Sequence, residues 1–156
     1  MFSNKSKINW TNWHHRLHKE FLNETNLIPE SANLLIAVSG GQDSMALMTL
    51  INDIKYQHYW TIHVWHGDHK WHKESTLFAN QLKNYCIKKE INFHSDIAEK
   101  EEILTEEKAR NWRYKKLYKK VDELLIKGES VQNWYILTGH TSSDNTETFF
   151  LNLARG

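Results

Sequence analysis

The sequence predicts an α/β fold, in which a parallel β-sheet is covered by helices on both faces. Strand-like and helix-like segments alternate along the 156 residues, which is the order that a parallel sheet requires. The continuous apolar run at residues 34–38 is typical of a strand that is buried on both faces. Hydrophobic residues make up 40% of the chain and charged residues 25%, which is the balance of a globular domain.

The first thirty residues are expected to form a helix that packs on a main domain comprising residues 31–156. Aromatic and apolar side chains recur at helical spacing up to a helix end near Asn26. This stripe consists of Trp10, Trp13, His14, Leu17 and Phe21. Such stripes usually face a core, and contact with nucleic-acid bases is the alternative.

Four segments have the apolar, β-branched or aromatic composition of strands. They are residues 34–38, 59–66, 91–94 and 135–138, and Gly67 is expected to end the second. Helical patterns follow at residues 43–53, 74–89, 101–127 and 145–154, and Gly128 is expected to stop the third. In the helix at residues 74–89, the side chains of Phe78, Leu82, Tyr85 and Cys86 are expected to point inward.

Composition excludes several classes of protein. Cys86 is the only cysteine, so the chain has neither an internal disulfide nor a cysteine-cluster metal site. The formal net charge of +1 does not indicate a nucleic-acid binder by itself. No apolar run is long enough to span a membrane, and residues 1–7 lack the apolar core of a signal peptide.

A glycine-containing loop joins the first strand to the first helix after it. Two adjacent glycines let the backbone approach a phosphate group closely. The N-terminus of the following helix presents unpaired N–H groups and the positive end of the helix dipole. A phosphate-binding loop is therefore predicted at Ser39, Gly40, Gly41, Gln42, Asp43 and Ser44. An ordinary strand-to-helix turn is the alternative.

Three polar segments follow predicted strands, at residues 39–44, 68–75 and 139–148. The carboxyl ends of parallel strands lie along one edge of a sheet, where α/β proteins bind their ligands. The three segments are therefore expected to form a single site.

The loop at residues 39–44 resembles the Ser-Gly-Gly-x-Asp-Ser pyrophosphate loop of the N-type ATP pyrophosphatases, or PP-loop enzymes. The chain has no Walker A sequence. The resemblance implies a Rossmann-like sheet and cleavage of ATP between its α- and β-phosphates, with adenylation of a carbonyl oxygen. It further implies that the six loop residues bind ATP and that Asp43 helps to hold Mg²⁺.

The third polar segment resembles a motif of one PP-loop family, the tRNA(Ile)-lysidine synthetases. His140, Asp144, Glu147 and Thr148 match that motif, followed by an apolar stretch ending in Arg155-Gly156. Ser143 and Asn145 depart from the general pattern, and the Ser-Asp form is similar to the cyanobacterial and plastid branch. Asp68, His69, Trp71 and Ser75 match a second motif of that branch, in which His72 replaces an arginine.

A third match, Ala-Arg-x-x-Arg-Tyr, contains Arg110, Arg113 and Tyr114. Helical periodicity places an apolar stripe at Tyr114, Leu117, Tyr118, Val121, Leu124 and Leu125. On the same wheel Arg110 falls inside the stripe and Arg113 at its edge, and Lys115, Lys116 and Lys119 face away. A buried guanidinium needs an anion or several acceptors, so a substrate phosphate and a structural carboxylate are both candidate partners.

The resemblance implies an ATP- and Mg²⁺-dependent ligase that joins free L-lysine to the wobble cytidine of a CAU-anticodon tRNA(Ile). The implied catalytic residues are Asp43, Arg110, Arg113, His140, Asp144 and Glu147, with Asp68 and His69 in a second loop. The family pattern continues beyond Arg155-Gly156, so we expect a domain truncated at its C-terminus. The expected compartment is a plastid stroma or a bacterial cytoplasm, without a membrane partner, and a homodimer is a further expectation.

Two alternatives to this activity stay open. One is another PP-loop tRNA-modifying or amidotransferase-coupled ATP pyrophosphatase. The lone Cys86, within a predicted helix, argues against a thiolase, because those enzymes generally use several cysteines. The other is a nucleotide- or tRNA-binding fragment without catalytic activity.

Overall fold

The computed structural model describes residues 9–70, 74–128, 133–139 and 151–152. Five strands form one sheet: β1 (Asn33–Ala37), β2 (Thr61–Asp68), β3 (Asn92–Ile97), β4 (Trp134–Thr138) and β5 (Leu151–Asn152). Among the described residues, four α-helices accompany them: α1 (Asn12–Asn23), α2 (Gln42–Ile54), α3 (Ser75–Lys88) and α4 (Glu106–Ile126). Short 3₁₀ turns occupy Lys55–Gln57 and Lys100–Ile103.

The sheet has the strand order β3-β2-β1-β4-β5. The first four strands are parallel, with Leu35 of β1 opposite His63 of β2 and Ile136 of β4. β5 pairs antiparallel to β4, which places Leu151 opposite Ile136. The prediction of a helix at residues 145–154 is therefore wrong at Leu151–Asn152, and the rest of that segment lies outside the described residues. Its apolar run suits a strand as well as a helix, and pairing satisfies the edge of β4.

Two cores cover the faces of the sheet, which confirms the predicted α/β fold. On one face Leu34, Ile36 and Val64 pack with residues of α1, α2 and α3, including the fully buried Met48 and Cys86. On the other face, alternate strand residues pack against α4. That second core contains Leu35, Trp65, Trp112, Leu117, Val121, Trp134 and Ile136. No helix among the described residues is long and apolar enough to cross a membrane.

Two histidines connect the N-terminal helix α1 to the end of α2 and to the turn that follows it. His14 Nε2 lies 3.1 Å from Asp53 Oδ2, and His18 Nδ1 lies 2.9 Å from His58 Nε2. The predicted buried face is correct for His14 and Phe21 but wrong for Trp13, whose side chain is 66% exposed. The guanidinium of Arg16 lies 5.4 Å from the Trp13 ring centre, so this indole packs along its own helix instead.

Several predicted boundaries are corrected by local contacts. α1 ends at Asn23, before the predicted Asn26. β2 begins at Thr61, because Tyr59 has a φ of 57° and belongs to a turn, and it continues through Gly67 to Asp68. The third strand is longer than predicted and reaches Ile97. The predicted helix at residues 101–127 is broken at Thr105, whose Oγ1 accepts the Lys108 N–H at 3.2 Å and caps α4.

Two neighbouring histidines on the α4 face, His63 and His94, make the stability of the fold dependent on pH. Their rings stack with centroids 5.3 Å apart, and His63 Nδ1 lies 3.0 Å from His94 Nε2. Burial lowers the pKa of each histidine to about 4. The pKa of each histidine is lower in the folded protein than in the unfolded chain, where it is near 6.5. The stability that the two neutral rings contribute is therefore fully present above pH 6.5 and is lost as the pH falls toward 4.

We expect the free energy of unfolding to fall by about 2 kcal/mol or more between pH 7 and pH 5 because of this pair. Urea unfolding at the two pH values measures the loss. The double variant His63→Phe/His94→Phe should lose much of the pH dependence, whereas His15→Phe, at an exposed site, should retain it. An unchanged slope in the double variant would assign the acid sensitivity to other groups.

Candidate functional site

A cavity of about 490 Å³ lies at the carboxyl ends of β1, β2 and β4. Each strand contributes its last residues, α2 contributes its first turn, and α3 and α4 close the sides. The lining residues are Ala37, Val38, Ser39, Gly40, Ser44, Trp65, His66, Gly67, Asp68, His69, Lys70, Glu74, Ser75, Phe78, Arg113, Thr138 and Gly139. The described parts of the three predicted polar segments therefore meet in one place.

The loop between β1 and α2 is ordered by its own hydroxyl groups. Ser44 Oγ donates a hydrogen bond to the Gly41 carbonyl at 2.9 Å and lies 3.3 Å from Ser39 Oγ. Gly40 adopts a φ of +100°, a conformation that L-residues rarely adopt. Gly41 has an ordinary φ of −68° and caps α2. This arrangement places the amide groups of the first turn of a 13-residue helix at the cavity, where they favour an anion.

Close backbone packing places β4 against the start of α2. A Cβ atom on Gly139 would lie 2.6 Å from Ser44 Cα and 2.8 Å from Ser44 N. The only residue that fits there is glycine, because both neighbouring atoms belong to the backbone of the helix. The loop of the first polar segment and the start of the third are thus in direct contact.

The second polar segment forms a tight turn at the end of β2. The buried Asp68 accepts the Lys70 N–H through Oδ1 at 2.8 Å, and Lys70 has a φ of 52°. His69 lies against the Trp112 ring, with centroids 5.2 Å apart. Burial lowers the pKa of His69, as do the nearby Arg113 and His66, while the Gly67 backbone and Asp68 partly oppose this. The imidazole of His69 is therefore held toward its neutral form.

His66 supports the loop from beneath. Its Nδ1–H donates to the Val38 carbonyl at 2.7 Å, at the last residue before the loop. Its ring meets Phe78 edge-on, with centroids 5.4 Å apart, and a Cβ on Gly40 would lie 2.8 Å from the Phe78 ring. Phe78 of α3 and His66 of β2 thus fix the position of the loop relative to the sheet.

α4 presents Arg113 to the cavity, whereas Arg110 is exposed and does not line it. The prediction that Arg110 is the more buried of these two arginines is therefore wrong. The buried residues of α4 are Ala109, Trp112, Leu117, Val121 and Leu124, so the inward face is rotated away from Arg110. Arg110 instead packs over Tyr114, with its guanidinium carbon 5.8 Å from the ring centre.

The predicted outward face of α4 is correct for Lys115 and Lys119 but wrong for Lys116. Lys116 is half-buried, and its Nζ lies 3.9 Å from Asp96 Oδ1. Burial lowers the pKa of the Arg113 guanidinium, as does Arg110, against the raising influence of Tyr114 and Glu106. A guanidinium stays charged under these conditions, so Arg113 is the partly buried cation of this wall.

The predicted site residues fall into three groups. Those that line the cavity are Ser39, Gly40, Ser44, Asp68, His69 and Arg113. Those that are exposed and do not line it are Gly41, Gln42 and Asp43, at the start of α2, and Arg110, on α4. His140, Asp144 and Glu147 lie outside the described residues. The lining residues that the sequence prediction does not assign to the site include Gly67 and Thr138, at the ends of predicted strands, and Phe78, whose contact with Gly40 has no sequence signal.

Cys86 is fully buried in α3, and burial raises its pKa to about 11. Burial therefore disfavours the reactive thiolate form of Cys86, and this residue does not line the cavity.

Comparison with known proteins identifies relatives of this chain. A family model described as a PP-loop domain matches residues 11–156. The chain is 61% identical to the tRNA(Ile)-lysidine synthase of Prochlorococcus marinus subsp. pastoris, over 98% of this chain and 46% of that protein. It is 36% identical to the chloroplastic tRNA(Ile)-lysidine synthase of Staurastrum punctulatum, over 86% of this chain and 26% of that protein.

These matches confirm the resemblance inferred from the motifs, including its cyanobacterial and plastid character. The chain spans less than half the length of the curated relatives it matches, for example 40% of the tRNA(Ile)-lysidine synthase of a Nostoc species. The family model covers the loop, all described strands and the cavity residues. The chain belongs to the PP-loop domain family.

Proposed function

We propose that this protein takes part in ATP-dependent lysidine formation. In this reaction the 2-carbonyl of the wobble cytidine of a CAU-anticodon tRNA(Ile) is adenylated, with release of pyrophosphate. The ε-amine of free L-lysine then displaces AMP. The observation that carries the proposal is a cavity that combines a glycine loop at a helix N-terminus with a partly buried arginine, in a chain similar to tRNA(Ile)-lysidine synthases.

The charges around the cavity suit a triphosphate. The amides at the start of α2 and the hydroxyls of Ser39 and Ser44 would hold the β- and γ-phosphates. Arg113 would approach the α-phosphate from the α4 side. Its low exposure to water would strengthen the electrostatic attraction between the guanidinium and the phosphate. The apolar ends of β1 and β2 at Ala37, Val38 and Trp65 would face the adenine.

The start of α2 also suits Mg²⁺. Asp43 is exposed in the first turn and forms no ion pair with any described residue. The described part of the chain has no cluster of three histidine, cysteine or acidic residues for a metal. Mg²⁺ commonly binds through one carboxylate together with substrate phosphates, and Asp43 would supply that carboxylate. The metal would stabilise negative charge on the departing pyrophosphate.

The family motif at residues 140–148 would supply the remaining groups. His140 would contact the α-phosphate or act as a base. Asp144 and Glu147 would orient or deprotonate the lysine ammonium, since a protonated amine is not a nucleophile. Because Arg110 is exposed, we assign it to the rim of the site, where it would meet the tRNA backbone.

The compartment is proposed from the relatives. Cyanobacterial and chloroplastic relatives favour a bacterial cytoplasm or a plastid stroma for this protein. The homodimer stays a prediction.

Labelled lysine counted on a CAU-anticodon tRNA(Ile), in the presence of Mg-ATP, tests the proposal. We expect incorporation that Ser44→Ala lowers roughly tenfold or more and that Asp43→Ala abolishes. Thr49→Ala is the matched control, because the Thr49 hydroxyl also donates to a carbonyl within α2, that of Met45 at 2.8 Å, but does not line the cavity.

Each other outcome has a defined meaning. Formation of AMP and pyrophosphate that depends on tRNA, without lysine transfer, would retain adenylation and reject ligation by this chain. Formation of ADP would contradict the proposed cleavage between the α- and β-phosphates. Absence of both activities in a folded protein would favour the binding-fragment alternative.

A further inference from the structure

Two indole rings close over Gly67 on the α4 side of the cavity. The rings of Trp65 and Trp112 have centroids 5.9 Å apart. A Cβ on Gly67 would lie 2.6 Å from Trp65 Cη2 and 2.8 Å from Trp112 Cζ3. The absence of a side chain at position 67 therefore lets Trp112 of α4 approach Trp65 near the end of β2.

This tryptophan pair is held in place from its outer side. Trp65 Nε1–H donates to Asp96 Oδ2 at 2.7 Å, which ties β2 to β3. The other oxygen of Asp96 lies 3.9 Å from Lys116 Nζ, and the same ammonium lies 5.7 Å from the centre of the Trp112 ring. Two strands and α4 are thus joined next to the cavity by one cluster, which we call the tryptophan clasp: Trp65, Gly67, Asp96, Trp112 and Lys116.

The inner side of the clasp touches the proposed site. Trp112 packs edge-on against His69, and Arg113 follows it directly in α4. The position of the Trp112 ring therefore sets where the His69 imidazole lies and limits how far the first turns of α4 can move. Both His69 and Arg113 line the cavity.

Ordinary core packing accounts poorly for a tryptophan here. Trp112 is 4% exposed, and its Nε1 is buried without a hydrogen-bond partner among the described residues. An unsatisfied buried donor lowers stability, and phenylalanine would avoid this cost, although its smaller ring would leave a cavity in the core. What phenylalanine lacks is the span of the indole, which reaches Trp65, His69 and the Lys116 ammonium at once.

We propose that Trp112 is a positioning residue that holds His69 and Arg113 at the geometry needed for the α-phosphate side of the bound nucleotide. The proposal rests on the proposed function for its ligand, although the placement of His69 is independent of any ligand. Loss of the indole should loosen both residues while the fold persists, since the rest of the α4 core is unchanged.

The test compares Trp112→Phe with Trp134→Phe. Trp134 belongs to the same core and is 1% exposed, but it begins β4, about 13 Å along the strand from the cavity. The two readouts are an NMR titration of the His69 imidazole and the Kd for Mg-ATP. Trp112→Phe should raise the His69 pKa, because burial falls, and weaken Mg-ATP binding about tenfold. Trp134→Phe should change neither, despite a similar loss of stability.

Each arm can overturn the proposal. If Trp112→Phe leaves the His69 titration unchanged, or if Trp134→Phe shifts it equally, Trp112 is only a core residue. If the wild-type chain does not bind Mg-ATP, the nucleotide proposal fails and the His69 titration alone decides on the clasp. If Trp112→Phe fails to fold, Lys116→Met serves as a second variant, because it removes the contact of the ammonium with Asp96 and the Trp112 ring. An unchanged His69 pKa in Lys116→Met would then reject the proposal for Trp112.

Discussion

Replacing Gly139 by alanine should weaken Mg-ATP binding by at least about tenfold and lower the free energy of unfolding by about 1–3 kcal/mol. The new methyl group would lie 2.6 Å from Ser44 Cα and 2.8 Å from Ser44 N. These backbone atoms cannot rotate away, and α2 is anchored in the core through Met48 and Ile51. The start of α2 must therefore shift, together with the amides that face the cavity. Isothermal titration calorimetry and urea unfolding measure the two effects.

The control for this prediction is Gly128→Ala. A Cβ at Gly128 meets nothing within 4 Å, but its φ of +88° makes alanine unfavourable there by about 1–2 kcal/mol. This variant should lose stability through the backbone and bind Mg-ATP as the wild type does, since Gly128 follows the C-terminus of α4 and does not line the cavity. If Gly139→Ala bound nucleotide normally, the contact between β4 and α2 would not be what places the loop.

Replacing Gly40 by alanine should lower the free energy of unfolding strongly, because two costs add. The φ of +100° disfavours a side chain by about 1–2 kcal/mol, and the new methyl group would lie 2.8 Å from Phe78 Cε1. We expect a loss of stability of about 2–3 kcal/mol, measured by urea unfolding. Movement of Phe78 would also disturb its edge-on contact with His66, which supports Val38.

The variant Gly41→Ala is the control, because it adds a methyl group at the adjacent position without either of these two costs. Its φ of −68° is open to alanine, and a Cβ there comes no closer than 3.7 Å to another atom, Ser39 Oγ. We expect Gly41→Ala to cost less than about 1 kcal/mol of stability, mainly through its cap position. The double variant Gly40→Ala/Phe78→Leu should recover part of the loss. Equal effects of Gly40→Ala and Gly41→Ala would contradict the assigned loop conformation.

The parts of the fold that were predictable from sequence depend on local chemistry. A buried strand, two glycines and a helix start identify the loop at residues 39–44 without knowledge of the rest of the molecule. Alternation of strands and helices gives a parallel sheet, and the sheet in turn places the strand ends along one edge. For this reason Ser44 and Asp68, though distant in sequence, are predicted to belong to one site, whereas Arg113 is assigned to it only through the family motif.

The errors arise where a contact between distant elements decides the structure. Gly67 does not end β2, because its missing side chain admits Trp65 and Trp112 instead. The inward face of α4 is rotated away from Arg110, because Trp112 packs against β2 and His69. β5 forms at Leu151–Asn152 because β4 offers a free edge. None of these contacts between distant residues can be predicted from helical or strand periodicity.

In the proposed function, the triphosphate of ATP would lie between the loop at residues 39–44 and Arg113. NMR resonances of the uniformly labelled protein, followed during a titration with Mg-ATP, test it most directly. We predict saturable shifts centred on Ser39, Gly40, Ser44 and the Arg113 side chain, with no change around Trp134 at the opposite end of the sheet. Saturable shifts confined to another surface, or no saturable binding by the folded chain, would contradict the account.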